Sequence, residues 1–316
     1  VDTASNRTPE GMIRASIDIG TNSVLLLVAD ISSDSIKVLH EDQHIPRLGK
    51  GVDRDGRLSD DSIERVLLAL DEYSQFLKEN YPEVRDHTVV TATSAVRDAS
   101  NRNQFLQSVL NRTGWKVRLL SGDDEASVTY RGALAVLEPS IVTGSAMVLD
   151  IGGGSTEFAF GDGKLLLDFI SLDMGSVRFS ERFLTSDPPS ADQIELAAKS
   201  AGKMLRDWKS DPGSFDHLIG VAGTVTSMAG IELKLDHYSA ERINGHRCSL
   251  EFIEEMISKF GMLSSTEIEK RYPVFLKGRA DVILGGLIIL SEVLKWTGKE
   301  EIVVSTGGIR HGILIA

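Results

Sequence analysis

One pattern occurs twice in this chain, and the duplication narrows what it can fold into. Asp150-Ile151-Gly152-Gly153-Gly154-Ser155-Thr156-Glu157 follows an apolar run at 146–149. Asp18-Ile19-Gly20-Thr21-Asn22-Ser23-Val24-Leu25 repeats it at an offset of 132 residues (150 − 18), with Asp, Ile, Gly and Ser in register. An apolar strand that ends in Asp and glycine lets the backbone approach an anion closely, with hydroxyls and free amides turned inward. On the octet alone, a phosphate cradle and a glycine-rich hairpin with a solvated Asp are both open. Two copies of the turn argue for two similar domains facing one polyphosphate ligand. Two more glycine turns follow apolar runs, Gly220-Val221-Ala222-Gly223-Thr224-Val225-Thr226 and Ser305-Thr306-Gly307-Gly308-Ile309-Arg310. The copies differ where Glu157 corresponds to Leu25, so only the second carries two carboxylates. Asp150 and Glu157 are hard oxygen ligands of the kind that share Mg²⁺ with substrate phosphates, and the echo adds Asp18 as a third candidate metal ligand.

The 316 residues suit about two domains. At a net charge of −12 the overall field repels a polyanion, so phosphate has to be held by local basic groups, backbone amides and metal. The same balance counts against duplex nucleic acid. Cys248 is the only cysteine, which excludes an intrachain disulfide, fits a reducing compartment and reads as a packing residue. Residues 1–11 are polar, lack a signal-peptide core and read as a disordered lead. The longest apolar-rich run, 282–290, is about half of the ~20 residues a membrane span needs, so a cytoplasmic protein without membrane contact is expected. His217, His237, His246 and His311 have no ligand-like spacing and read as surface or turn residues, with no zinc site.

Strands are expected at 13–19, 24–29 and 35–40, then a loop over 49–56 and a helix capped by Ser59. A strand at 88–92, a loop at 94–98, a helix at 101–110 and a strand at 116–120 read as a parallel crossover. The loops after Ala92 and Leu120 then open on one sheet edge, where ligand-binding residues belong. They carry Arg97 and Ser121-Gly122-Asp123-Asp124-Glu125-Ala126. A surface arginine and first-turn acids on a helix dipole are the other readings. The second half repeats the scheme, with a meander through 165–172, helices at 190–209, 224–231, 249–263 and 279–296, and a strand at 218–221.

Taken together these segments resemble the Ppx/GppA family of exopolyphosphatases and guanosine pentaphosphate phosphohydrolases, within the actin, Hsp70 and sugar-kinase superfamily. The resemblance runs from Ile13 to the C-terminus. It implies an α/β chain of two actin-like (ribonuclease H-like) domains with an interdomain cleft, expected at 12–135 plus 300–316 and at 136–299. It also implies roles. Glu125 matches the catalytic glutamate, Arg97 the arginine that holds phosphate, and Asp150 with Glu157 the carboxylates associated with Mg²⁺, with Mn²⁺ as an alternative. Gly20, Thr21, Asn22, Ser23, Ser94, Gly152, Gly153, Gly154, Ser155, Gly223, Thr224 and Arg279 are the phosphate-binding candidates. The sequence ends at Ala316 without the helical extension of longer members, so no long threading channel is expected. Leu25 stands where some members carry a basic residue facing the guanosine nucleotide, which favours inorganic polyphosphate over pppGpp. The expected state is a monomer or homodimer. An actin-like ATP-dependent kinase would instead form ADP only with an acceptor, and a non-catalytic alarmone sensor would bind pppGpp without releasing phosphate.

Overall fold

The computed structural model describes residues 11–32 and 36–316. The lead expected at 1–11 lies outside the described residues apart from Gly11, and so does Ser35 at the expected start of the third strand.

Strands β1 (Met12–Ile19), β2 (Val24–Ile31) and β3 (Ile36–His44) form an antiparallel meander. Along β1 the period of two sends Ala15, Ile17 and Ile19 into one core. Ser16, on the other face, donates to the Arg310 carbonyl (2.9 Å). After the turn α1 (Val52–Asp55), α2 (Asp60–Asn80) starts at Ser59, whose hydroxyl accepts from the Ser62 amide (3.2 Å). It buries Ile63, Val66, Leu70, Tyr73 and Leu77 at helical spacing. Then come α3 (Pro82–Arg85), β4 (Val89–Ala92), α4 (Ser94–Asp98), α5 (Arg102–Thr113), β5 (Val117–Leu119) and α6 (Gly122–Ala135). The loop expected at 94–98 is the helical turn α4, closed because the Val96 and Arg97 amides both return to the Thr93 carbonyl (3.1 and 3.0 Å).

The second half runs β6 (Ser145–Ile151), β7 (Thr156–Asp162), β8 (Leu165–Leu172), α7 (Ser176–Phe183), α8 (Ala191–Trp208), β9 (His217–Val221) and α9 (Ala222–Glu232). It continues with α10 (Ala240–Ile243), β10 (Arg247–Ser249), α11 (Leu250–Phe260), α12 (Ser265–Arg271), α13 (Pro273–Leu276), α14 (Ile283–Thr297), β11 (Glu301–Val304) and α15 (Ile309–Leu314). The two sheets share one plan. The first is ordered β3-β2-β1-β4-β5 and the second β8-β7-β6-β9-β11, with β10 added beyond β11. In each, the first three strands are antiparallel and the next two parallel. The chain is thus an α/β protein of two actin-like halves. Parallel crossovers bring the turns after β1, β4 and β5, and after β6, β9 and β11, to the same sheet edges.

Two elements bear on the division expected at 12–135 plus 300–316. Strand β11 pairs with β9 in the second sheet, because its Val303 and Val304 face Ile219 and Gly220. Helix α6 buries Ala126, Tyr130 and Ala133 among second-sheet residues such as Val148 and Ala159. Helix α15 returns to the first sheet, where Ile309, Ile313 and Leu314 pack with Leu27 and Ala29, alongside Val128 of α6.

α6 and α15 therefore cross between the halves, and glycine permits their approach. A methyl on Gly312 would lie 1.7 Å from the Val128 carbonyl oxygen, and one on Gly132 would lie 2.0 Å from that of Gly308. Gly312→Ala should lower stability by about 1–3 kcal/mol through overpacking. Urea denaturation measures this, and an unchanged midpoint would mean the helices separate freely. Among the described residues no helix is long and apolar enough to cross a membrane.

Candidate active site

The echoed turns are alike in three dimensions. Asp18 lies opposite Leu25 and Asp150 opposite Glu157 in their antiparallel registers. The Gly20 amide donates to Ser23 O (2.9 Å) and the Gly152 amide to Ser155 O (3.0 Å). The two turns meet across the halves, together with the start of α4, where the Thr21 and Ser94 hydroxyls are 2.9 Å apart. A methyl on Gly153 would lie 2.7 Å from Thr21 Cβ, and one on Gly154 would lie 2.8 Å from Ser94 Oγ. Larger residues would force the turns apart.

Above them lies a cleft of about 880 Å³. Its lining includes Asp18, Gly20, Thr21, Asn22, Ser23, Ser94, Glu125, Asp150, Gly152, Gly153, Ser155, Gly223, Thr224 and Arg279. Three expected residues stand behind this wall. Gly154 packs on Ser94. Glu157 is buried beside Asp150. Arg97 Nη1 donates to Glu125 Oε2 (3.0 Å) and to the Leu120 carbonyl (3.0 Å). Another basic group lines the cleft itself.

That group is Arg279. Burial holds its guanidinium below the usual range, while the nearby Tyr238 acts in the opposite direction. Among the described residues it has no ion pair. Its Nη1 lies where a methyl on Gly223 would stand, 2.0 Å away, so the glycine lets the guanidinium lie across the start of α9. Lys277 joins it in the lining, and so does Arg310, which pairs with Glu41 (3.3 Å).

Four carboxylates, Asp18, Glu125, Asp150 and Glu157, are nearly inaccessible to solvent. Burial pushes Asp18 up to about 6, against the opposing pull of Arg310 and a hydrogen bond from Thr91. Burial also raises Asp150, which the charges of Glu157 and Asp18 reinforce. Glu125 is held well above the ordinary glutamate range, first by burial and then by Glu157 and Asp150, with Arg97 opposing. Burial raises Glu157 as well, and hydrogen bonds from Ser171 and Ser155 offset it. Like charges in low dielectric repel one another, so this arrangement calls for a cation.

The donor set fits a hard one. Ser171 Oγ donates to Glu157 Oε1 (2.6 Å), while Glu157 Oε2 is buried without a partner. An unsatisfied carboxylate oxygen among other carboxylates, with no nitrogen or sulfur ligand beside it, suits Mg²⁺ or Mn²⁺. Asp150 and Glu157 would hold such an ion, with Asp18 next to them.

Sequence reasoning missed two supports. Ser171 sits opposite Glu157 in the β7–β8 register, which a full pairing of the meander would have revealed. Arg178 donates to Gly154 O (2.6 Å), Asp53 (2.8 Å) and Asp98 (2.8 Å), tying the second turn to both halves. No local pattern announces it.

A sequence profile described as the Ppx/GppA phosphatase family matches residues 27–316. The chain is 34% identical over 315 residues to a bifunctional 3-dehydroquinate synthase/phosphatase of Fusobacterium nucleatum, covering 96% of this chain and 46% of that protein. It thus spans less than half the length of that relative. It is 31% identical over 321 residues to exopolyphosphatase 2 of Mycobacterium tuberculosis, covering 96% of this chain and 97% of that one. The solved structure of the Aquifex aeolicus Ppx/GppA family member superposes with a TM-score of 0.79 at 32% identity, covering 96% of each chain. The paired turns, the cleft carboxylates and these matches lead to one conclusion: the chain belongs to the Ppx/GppA phosphatase family.

Proposed function

We propose that this chain hydrolyses the terminal phosphoanhydride of inorganic polyphosphate with the help of Mg²⁺, and that pppGpp is a poorer substrate. The observation that carries the reading is the placement of the buried carboxylates Asp18, Glu125 and Asp150, backed by Glu157, and of Arg279, which has no ion pair among the described residues, around glycine turns in one cleft. A family relationship to an exopolyphosphatase supports it.

Phosphoryl transfer asks the protein mainly for positioning and charge neutralisation. Bound Mg²⁺ would supply neutralisation of the terminal phosphoryl oxygens. The turns at Gly20 and Gly152 offer amides and hydroxyls, and Arg279 takes phosphate oxygen from the facing wall. Glu125, fixed by Arg97, accepts a proton from water as the water oxygen bonds to the terminal phosphorus. The bond to the bridging oxygen breaks. Orthophosphate leaves, and the shortened chain departs as the leaving group.

Phosphate release measured side by side on long polyphosphate, short polyphosphate, pppGpp and ATP tests the reading. Each charge-assisted contact contributes about 1.5–3 kcal/mol, so a ligand offering successive phosphates to Arg279 and Lys277 should win on kcat/KM, and ATP should be poor. Leu25 lines the cleft opposite Asp18 and offers no charge to a nucleotide. Leu25→Arg should therefore move the ratio toward pppGpp. Acceptor-dependent ADP formation would make the protein a kinase, and pppGpp binding without phosphate release would make it a sensor.

A second measurement addresses the metal. Glu157→Gln should raise the Mg²⁺ concentration needed for half-maximal rate, with partial rescue by excess metal. An unchanged requirement would reduce Glu157 to a structural residue.

A further inference from the structure

The histidines have no ligand-like spacing in sequence, but the fold gives one of them ligand-like company. Glu232 is the last residue of α9, and His246 and Cys248 stand two apart along the chain at β10. Residues i and i+2 of a strand share a face, so both side chains turn toward the end of α9. One nitrogen of His246, the Cys248 sulfur and one Glu232 carboxylate oxygen all lie within 4.8 Å of one another. His246 Nε2 and Glu232 Oε2 are 2.7 Å apart. The backbone beneath them is fixed, with Gly245 N donating to Val304 O (2.7 Å) and Val304 N to His246 O (2.7 Å). Among the described residues this is the one cluster of three such donors.

We propose that Glu232, His246 and Cys248 form a binding site for a thiophilic divalent cation of the Zn²⁺ class, separate from the carboxylate cleft. Thiolate, imidazole and carboxylate are the three zinc ligand types, and a sulfur donor disfavours Mg²⁺. Metal–ligand distances of about 2.0–2.3 Å put tetrahedral ligands roughly 3.5 Å apart. The His246–Glu232 contact therefore opens slightly, and any spacing wider than this closes from within the 4.8 Å limit. Binding displaces the thiol proton and the proton shared by His246 and Glu232. The thiolate and carboxylate then balance the dication, with imidazole neutral. His246 and Glu232 remain partly exposed, which leaves a path for entry and a fourth position for water. Gly223, in the first turn of α9 beside Arg279, lies nine residues from Glu232, about 14 Å away at 1.5 Å per residue. A bound ion would fasten the far end of that helix to the edge strand.

The test is Co²⁺ titration of the metal-stripped full chain under a non-thiol reductant. Cys248 is the only cysteine, so a near-ultraviolet thiolate-to-cobalt band reports on this site alone. The band should saturate at one equivalent, fade on adding Zn²⁺ and persist in excess Mg²⁺. Cys248→Ser should lose it. Because that residue is buried, His246→Gln at the partly exposed position provides a second variant, expected to weaken Co²⁺ binding by at least the roughly 10–100-fold that loss of an outer-shell partner costs. No band in the unmutated protein, displacement by Mg²⁺, or unchanged affinity in the His246 variant would each overturn the proposal.

Discussion

Glu125→Gln is expected to slow phosphate release by roughly 10²–10⁴, the usual contribution of a positioned general base, while substrate binding is kept. Glutamine is nearly isosteric and retains an oxygen for the Arg97 hydrogen bond, so the cleft keeps its shape. What it loses is the ability to take a proton. The raised pKa of Glu125 gives the loss a second signature. In the unmutated enzyme the acidic limb of the rate profile should lie above the ordinary glutamate range, and in the variant the part of it that Glu125 supplies should be lost. Asp123→Asn and Asp124→Asn are the controls. They sit in the first turn of α6, where such charges are worth only about 0.3–1 kcal/mol. Single-turnover measurements decide the matter, and retention of more than about a tenth of the rate removes Glu125 from the mechanism.

Much of this architecture is visible in the sequence because it is written locally. The echo of Asp18 to Leu25 in Asp150 to Glu157 becomes two hairpins of equal register, and Ser59 caps α2 as its position indicates. The β4–β5 crossover places Ser94 and Glu125 on the edge predicted for ligands. What remains hidden depends on partners distant in the chain. Four residues at 301–304 do not announce which sheet they will join; β9 decides that. Nothing near Arg97 in sequence announces that its Nη1 will meet Glu125. His246 and Cys248 acquire meaning only when the end of α9 arrives beside them. In each case the deciding contact spans a tertiary interface, where periodicity and spacing carry no signal.

Asp18→Asn should make the metal-free protein more stable at pH 7.5 while it impairs activity. A carboxylate held at about 6 in the fold, against an ordinary 3.8, binds its proton more tightly when folded than when unfolded. Its contribution to stability is therefore fully present below about pH 4 and is lost as pH rises through about 6. At about 1.36 kcal/mol per pKa unit, the shift from 3.8 to about 6 corresponds to roughly 3 kcal/mol as an upper figure, which relaxation of the neighbours reduces. Asparagine removes the buried charge and its repulsion with Asp150. Melting followed by circular dichroism should show the variant several degrees more stable at pH 7.5 in a chelator, with the difference gone near pH 4. Acid-sensitive pairs such as Asp53 with Arg182, whose hydrogen bond holds the carboxylate below its usual range against the opposing effect of burial, are common to both proteins and cancel in the comparison. Adding Mg²⁺ at pH 7.5 should then stabilise the unmutated protein more than the variant, because the cation relieves the repulsion that the substitution has already removed. Equal melting temperatures at pH 7.5 without metal would show that the Asp18 charge is no burden to the fold, and would detach it from the carboxylates proposed to hold the cation.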